Sequence, residues 1–269
     1  MSLADSLVWY VRFRCGLEDI SGSGIEMERI GAESSTTYGK GATAGLVDVV
    51  AEFDNTDTTY LRSIADDAVL DFGSSDFTLS FWIKPISTGN YQIIMEKFTP
   101  VGGGGGDGWT VYLEPGGAPA VTFGARPSYA ILYTRGSITF GSWTHVLIRR
   151  SGSTFDTYLN GSQAGGDYTN SSAITDTTAK IRVGERVGDI SPYRYRGQQD
   201  EIAAWSRALS DDEITEVYNG GTPIFLLGTK VGRCSCPGAA GGTVGEVGWR
   251  PAGGKIGGFA GYAGAGPSI

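Results

Sequence analysis

Residues Phe77 to Pro85 read Phe-Thr-Leu-Ser-Phe-Trp-Ile-Lys-Pro, and they alternate strictly. Phe77, Leu79, Phe81 and Ile83 fall on one face of an extended chain; Thr78, Ser80, Trp82 and Lys84 fall on the other. Strand side chains repeat every two residues, so the stretch predicts a half-buried strand with an aromatic and aliphatic inner face. Pro85 has no N–H to give a ladder and either ends the strand or sits at a sheet edge. Gly73-Ser-Ser-Asp76 supplies the turn before it.

The design recurs in both directions. Upstream, 7–14, 46–53 and 58–63 read as strands, with 31–45 a loop of Gly, Ser, Thr and Ala. Downstream, strands are expected at 91–98, 109–114, 120–123, 130–134, 143–150, 154–159, 179–184 and 201–206. Ser151-Gly-Ser153 joins two of them as a tight hairpin, and Asn160-Gly161 is the pair favoured by a two-residue turn with both φ angles positive. The five-glycine run 102–106 reads as too flexible for a strand. It lacks the Lys-Ser/Thr of a phosphate loop, which argues against a nucleotide site. One helix is expected. Ser210-Asp-Asp-Glu213 forms a capping box, Ile214, Val217 and Tyr218 follow at helical spacing, and Gly220-Gly221 stops it.

Composition agrees. Glycine makes up 43 of 269 residues, about twice the usual share, and with 11% aromatic and 19% charged residues this suits short strands joined by glycine turns. Residues 222–269 hold 14 glycines and carry Lys230, Arg233, Arg250 and Lys255 against Glu246. They account for +3 of a net −8, which leaves −11 on 1–221. An acidic body argues against nucleic-acid binding, which needs a basic footprint. The N-terminus shows no basic segment followed by an apolar one, and no apolar run approaches the ~20 residues needed to span a membrane. Cys15, Cys234 and Cys236 are odd in number and lack a paired CxxC, which speaks against zinc and for free thiols.

Four blocks together resemble the laminin G-like, pentraxin-like branch of the concanavalin A-like lectin/glucanase superfamily. The first is Leu7-Val-Trp-Tyr with Asp19-Ile-Ser-Gly. The second runs from Phe53-Asp-Asn through Tyr60-Leu and Leu70-Asp-Phe to Phe77–Pro85. The third is Gly141-Ser-Trp-Thr-His-Val146 with Tyr158-Leu-Asn-Gly161. The last is Gly197-Gln-Gln-Asp-Glu-Ile202, Trp205-Ser-Arg-Ala-Leu-Ser210 and Glu213-Ile214. The resemblance covers about 7–221. It implies an all-β, antiparallel two-sheet jelly-roll sandwich over 1–221, to which the residues add one short helix near its end and a glycine-rich C-terminal arm at 222–269.

The resemblance also implies where calcium (Ca2+) would bind. The places that match the pentraxin relatives are Asp107, Glu185 and Asp189, although Gly108 lacks the side-chain amide expected beside Asp107. The aromatics Trp109, Tyr129, Tyr133, Tyr193 and Tyr195 lie in or beside loops, where a ring either stacks on a sugar or packs the rim. Trp109, Tyr193 and Tyr195 are the candidate ligand-binding residues. The superfamily's glucanases carry Glu-x-Asp-x-Glu on one strand; the nearest match here is Glu26-Met-Glu28. A Ser-His-Asp triad would have to use His145, the single histidine, at a position the resemblance makes structural. No catalytic residue is expected, and the reading is non-enzymatic.

Two functions stay open. One is a virion protein, a bacteriophage decoration or fibre subunit on the virion surface, motivated by the Met start, the single domain and the arm. Ordering a glycine-rich arm costs chain entropy that only extensive contact offsets. Phe225, Leu226, Trp249, Phe259 and Tyr262, with Cys234 and Cys236 as further links, are the residues able to dock on a second copy of the chain in a homo-oligomer or on capsid or tail proteins. The other is a soluble or extracellular lectin for cell-surface glycans, with or without calcium. Neither nucleic acid nor membrane insertion is expected.

Overall fold

In the computed structural model, which describes residues 2–13, 17–30, 38–39, 50–53, 60–101, 105–125, 131–188, 191–222 and 226, the stretch 77–85 is a central strand. In chain order the described strands are β1 Leu7–Val11, β2 Met27–Ile30, β3 Tyr38–Gly39, β4 Val50–Phe53, β5 Tyr60–Ser63, β6 Phe77–Pro85, β7 Gln92–Val101 and β8 Gly105–Leu113. They continue as β9 Ala120–Ala125, β10 Ile131–Ser137, β11 Thr144–Ser151, β12 Thr154–Leu159, β13 Ser162–Gln163, β14 Tyr168–Thr169, β15 Ile181–Val183 and β16 Gly197–Trp205, before helix α1, Asp211–Tyr218.

All these strands pair antiparallel, in two sheets. A nine-stranded sheet runs β13-β12-β11-β6-β16-β4-β3, with β1 also on β16 and β14 also on β12. A seven-stranded sheet runs β10-β9-β8-β7-β15-β5-β2. Their inner faces enclose one large apolar cluster, and the fold is a two-sheet sandwich. On β6, Phe77, Leu79, Phe81 and Ile83 are fully buried in it, as the alternation predicts. Phe77 stacks on Phe72 at 4.1 Å between ring centroids and meets Phe155 edge-on at 6.3 Å.

The other face of β6 corrects the half-buried expectation. Thr78, Ser80 and Trp82 are buried too, because α1 and the N-terminal segment lie over that side. A second cluster of Leu3, Leu7, Leu147, Trp205, Ile214 and Val217 fills the gap. Thr78 Oγ1 accepts from Leu209 N at 3.0 Å and donates to the Arg207 carbonyl at 2.9 Å, so the covering layer is hydrogen-bonded to the strand. The helix starts as its capping box dictates: Ser210 Oγ accepts from Glu213 N, and the Glu213 carboxylate accepts from Ser210 N at 2.9 Å. Asn219, at φ 45°, ends it one residue before the expected glycines. Among the described residues no helix is long and apolar enough to cross a membrane.

Asn160 and Gly161 adopt φ of 51° and 76°, the expected turn between β12 and β13. The glycine run departs from expectation. Gly105 and Gly106 open β8, and a Cβ on Gly106 would come within 2.2 Å of the Phe98 ring. Glycine is needed there for close packing, not for flexibility. Leu226 is buried in the second cluster of its own chain, which corrects its assignment to a neighbouring subunit. Phe225, Cys234, Cys236, Trp249, Phe259 and Tyr262 lie outside the described residues.

Candidate functional site

The outer face of the seven-stranded sheet is treated differently from that of its partner. One ladder row crosses all seven strands, reading Leu132, Gly124, Thr110, Glu96, Arg182, Arg62 and Glu28. Residues directly opposite across a ladder share a face, so this polar row lies on one side of the sheet. At its β10–β7 end it forms the floor of an open cleft of ≈ 260 Å³. Gly124 has no side chain to raise that floor between Thr110 and Leu132.

Tyrosines wall the cleft. Tyr91 meets Tyr112 at 5.8 Å and Tyr193 at 6.1 Å between ring centroids, both edge-on, and it is 41% exposed. Tyr193 sits on a turn that β7 pins. Ile93 bridges Arg194, and Arg196 N donates to Gln92 Oε1 at 2.9 Å. Glu185 clips the neighbouring loop to the same turn through Arg194 at 3.0 Å. That loop carries Arg186, whose guanidinium carbon lies 5.5 Å from the Tyr193 ring centre.

Two polar groups lie in the floor. Thr110 is more than nine-tenths buried, and its hydroxyl has no hydrogen-bond partner among the described residues. Such a group costs free energy unless something arrives to bond it. Glu96, opposite Thr110 on β7, is 2% exposed and accepts from Val187 N. Burial pushes its carboxyl up to about 7, against the pull of that N–H and of Arg186 and Arg182. The cleft therefore offers ring faces at its walls and a hydroxyl with a carboxyl beneath them.

Of the residues marked from sequence, Tyr193 lines the cleft. Trp109 is 1% exposed, its indole N–H given to the Leu70 carbonyl at 2.9 Å, so it belongs to the core and has no free face. Tyr195 is likewise buried, against Phe53, and Tyr133 packs among Phe123, Phe155 and Tyr168. Asp107 stands opposite Thr99 on β8, away from the cleft lining. Asp189 and Tyr129 lie outside the described residues. Glu185 does not fit a calcium ligand: Arg194 at 3.0 Å and Arg182 at 3.6 Å engage its two oxygens, and two guanidinium groups repel a dication. Another internal cation is Lys97, fully buried, its Nζ at 2.6–2.8 Å from Asp66, Asp71 and the Thr177 carbonyl. Tyr91, Tyr112, Thr110, Glu96 and Arg186 went unmarked in the sequence. Parity was the available signal: with Trp109 and Val111 inward, Thr110 and Tyr112 must face outward.

The acid and histidine candidates have structural partners. Glu28 takes two hydrogen bonds from Arg62, at 2.6 and 3.1 Å. His145 is fully buried beneath α1, its Nε2 2.8 Å from Ser80 Oγ, with Trp82 and Tyr218 packed on the ring. Burial lowers its pKa to about 3. Asp200 and Glu201 are buried at a bulge of β16, where Glu201 has φ 50° and pairs with Arg12 at 2.5 Å.

The fold is shared with solved structures of low sequence identity. The binding domain of Paraclostridial Mosquitocidal Protein 1 is 18% identical with a TM-score of 0.61, over 81% of this chain and 53% of that one. Domain 4 of AbnA, a GH43 extracellular arabinanase from Geobacillus stearothermophilus solved with arabinotriose, is 18% identical with a TM-score of 0.57. The likeness there covers 79% of this chain and 98% of that domain. The binding domain of botulinum neurotoxin DC, solved with rat synaptotagmin II, is 13% identical with a TM-score of 0.58, over 81% and 52%. The chain spans about half the length of the toxin binding domains it matches. No curated protein matches it in sequence. A family model does, over residues 54–215, more than half of the chain. On that match the chain belongs to the Laminin_G_3 family of the concanavalin A-like lectin/glucanase superfamily.

Proposed function

We propose that the domain is a lectin-type binding module that takes a glycan in the tyrosine-walled cleft. The observation that carries this is the pairing of ring faces with a buried, unpartnered Thr110 hydroxyl beside Glu96. A sugar ring has an apolar C–H face that stacks on tyrosine and hydroxyls that bond such groups. The arabinotriose held by AbnA domain 4 supports the reading, since that domain aligns over almost its full length. The toxin binding domains keep a protein receptor in view as a ligand class. The reading is non-enzymatic. Glycoside hydrolysis uses two carboxyl groups across the scissile bond, and Glu96 is the one carboxyl among the described lining residues.

A virion decoration or fibre role rests on the arm, outside the described residues, whereas the arabinotriose held by AbnA domain 4 supports glycan binding. The test is a printed glycan array probed with the full chain, its Tyr193→Ala variant and its Thr110→Val variant. Wild-type signal on a defined glycan set, lost in Tyr193→Ala and weakened about tenfold in Thr110→Val, is expected. A wild-type blank, or a signal unchanged by both substitutions, would refute the cleft as a glycan site.

A further inference from the structure

Resting on that reading, we infer that the cleft selects glycans bearing a carboxylate, and that Arg186 is the residue that binds it. Around the cleft, charges cancel in pairs. Glu96 faces Arg182 across the β7–β15 ladder. Glu185 holds Arg194 at 3.0 Å and reaches Arg182 at 3.6 Å, and Glu28 holds Arg62 at 2.6 Å. Arg186 is the exception. Its guanidinium makes no hydrogen bond or ion-pair contact with the described residues; it lies over Tyr193 and acts on Glu96 only through space.

Stacking on an aromatic ring leaves the edge of a guanidinium free, and that edge is the fork that fits a carboxylate with two parallel N–H···O bonds. Contact with the Tyr193 ring restrains the guanidinium, so less freedom is lost when a ligand arrives. The fork lies at the wall that the sugar ring would contact, so ring and carboxylate can be read by neighbouring groups. Excess positive charge at this mouth contrasts with −11 over residues 1–221, within the chain's net −8. An acidic body repels polyanions at large, and a local cation beside shaped aromatic walls then admits an anion only in the right pose.

The polar row supplies a direction for longer ligands. From Thr110 and Glu96 it continues through Arg182 and Arg62 to Glu28, each strand adding about 4.8 Å. Arg182 and Arg62 face each other on adjacent strands. Arg182 rests on the Tyr60 ring at 5.0 Å. An acidic oligosaccharide seated at Arg186 would run across the strands over these two arginines.

The test is titration calorimetry of the full chain with two matched pairs of probes. One pair is oligogalacturonate and its methyl-esterified form; the other is sialyllactose and lactose. Variants are Arg186→Gln, Arg186→Lys and Tyr193→Ala, each checked for an unchanged melting temperature. At least one acidic probe is expected to bind about tenfold or more tighter than its uncharged partner. Arg186→Gln should erase that difference by weakening the acidic probe more than its uncharged partner, and Arg186→Lys should recover only part of it. Equal binding within both pairs, with Arg186→Gln silent and Tyr193→Ala still disruptive, would overturn the carboxylate inference and leave the glycan reading intact. Acidic binding that survives Tyr193→Ala would also overturn it, as charge attraction outside the cleft. No binding of any probe, together with a blank array, would remove both.

Discussion

The two sheets share an inner-face design, and their outer faces diverge. Over the nine-stranded sheet, α1 and the N-terminal residues bury Thr78, Ser80, Trp82 and His145; Thr78 bonds the cover through Arg207 and Leu209, and Ser80 bonds His145 Nε2. Over the seven-stranded sheet no described element forms such a layer on the cleft. Tyr91 and Leu132 are exposed by 41% and 44%, and the Thr110 hydroxyl is unbonded. An antiparallel sheet tolerates either treatment, because its backbone is satisfied in the ladder whichever way its faces are used. The difference separates stability from recognition: one outer face extends the core, and the other keeps polar groups and rings available.

The comparison can be broken by substitution. The largest effect is expected where the sheets agree, at the shared inner face. Phe81→Ala should cost about 3–5 kcal/mol, read by denaturant unfolding; a loss below about 1 kcal/mol would reverse the face assignment of β6. Next come the outer faces, set against each other. Ile214→Ala, under α1, should cost about 2–3 kcal/mol, whereas Leu132→Ala, on the open face, should stay within about 0.5 kcal/mol. Equal losses would mean that both faces are covered in solution.

The smallest effect over any one pH unit is titration, since a single group changes stability by at most about 1.4 kcal/mol per unit. Each outer face has its own sign. His145 is depressed from 6.5 to about 3, so its contribution is present above 6.5 and lost as pH falls toward 3. Glu96 is raised from 4.5 to about 7, so its contribution is present below 4.5 and lost as pH rises through 7. Glu96→Gln should therefore flatten the decline between pH 5 and 7 that remains when other groups are held constant. An unaltered slope in the variant would place that carboxyl in water.

Much of the frame was legible in the chain. Strict alternation assigned the inner face of β6, Asn160-Gly161 assigned a turn, and Ser210 with Glu213 assigned a helix start, because each is settled by neighbours in sequence. What lies over an outer face is settled by remote residues. Nothing near Thr78 says that Leu209 will bond it, and Trp82 reads as solvent-facing until Tyr218 stacks on it 6.0 Å away. The cleft is harder still. Thr110, Glu96 and Arg182 come together through two ladder registers, with Tyr193 and Arg186 added from loops. Aromatic type alone marked Trp109 and Tyr195, and the core took both, since a ring buries more apolar area than a loop can offer it.

Leu3 and Leu226, near opposite ends of the described chain, share the cluster beneath α1, and the Leu3 carbonyl accepts from the Trp205 indole at 2.7 Å. The two ends of the described residues thus meet on one side of the sandwich, and the cleft opens on the other. A body tethered at Leu3 would therefore attach on the side away from the tyrosine cleft and leave its mouth open.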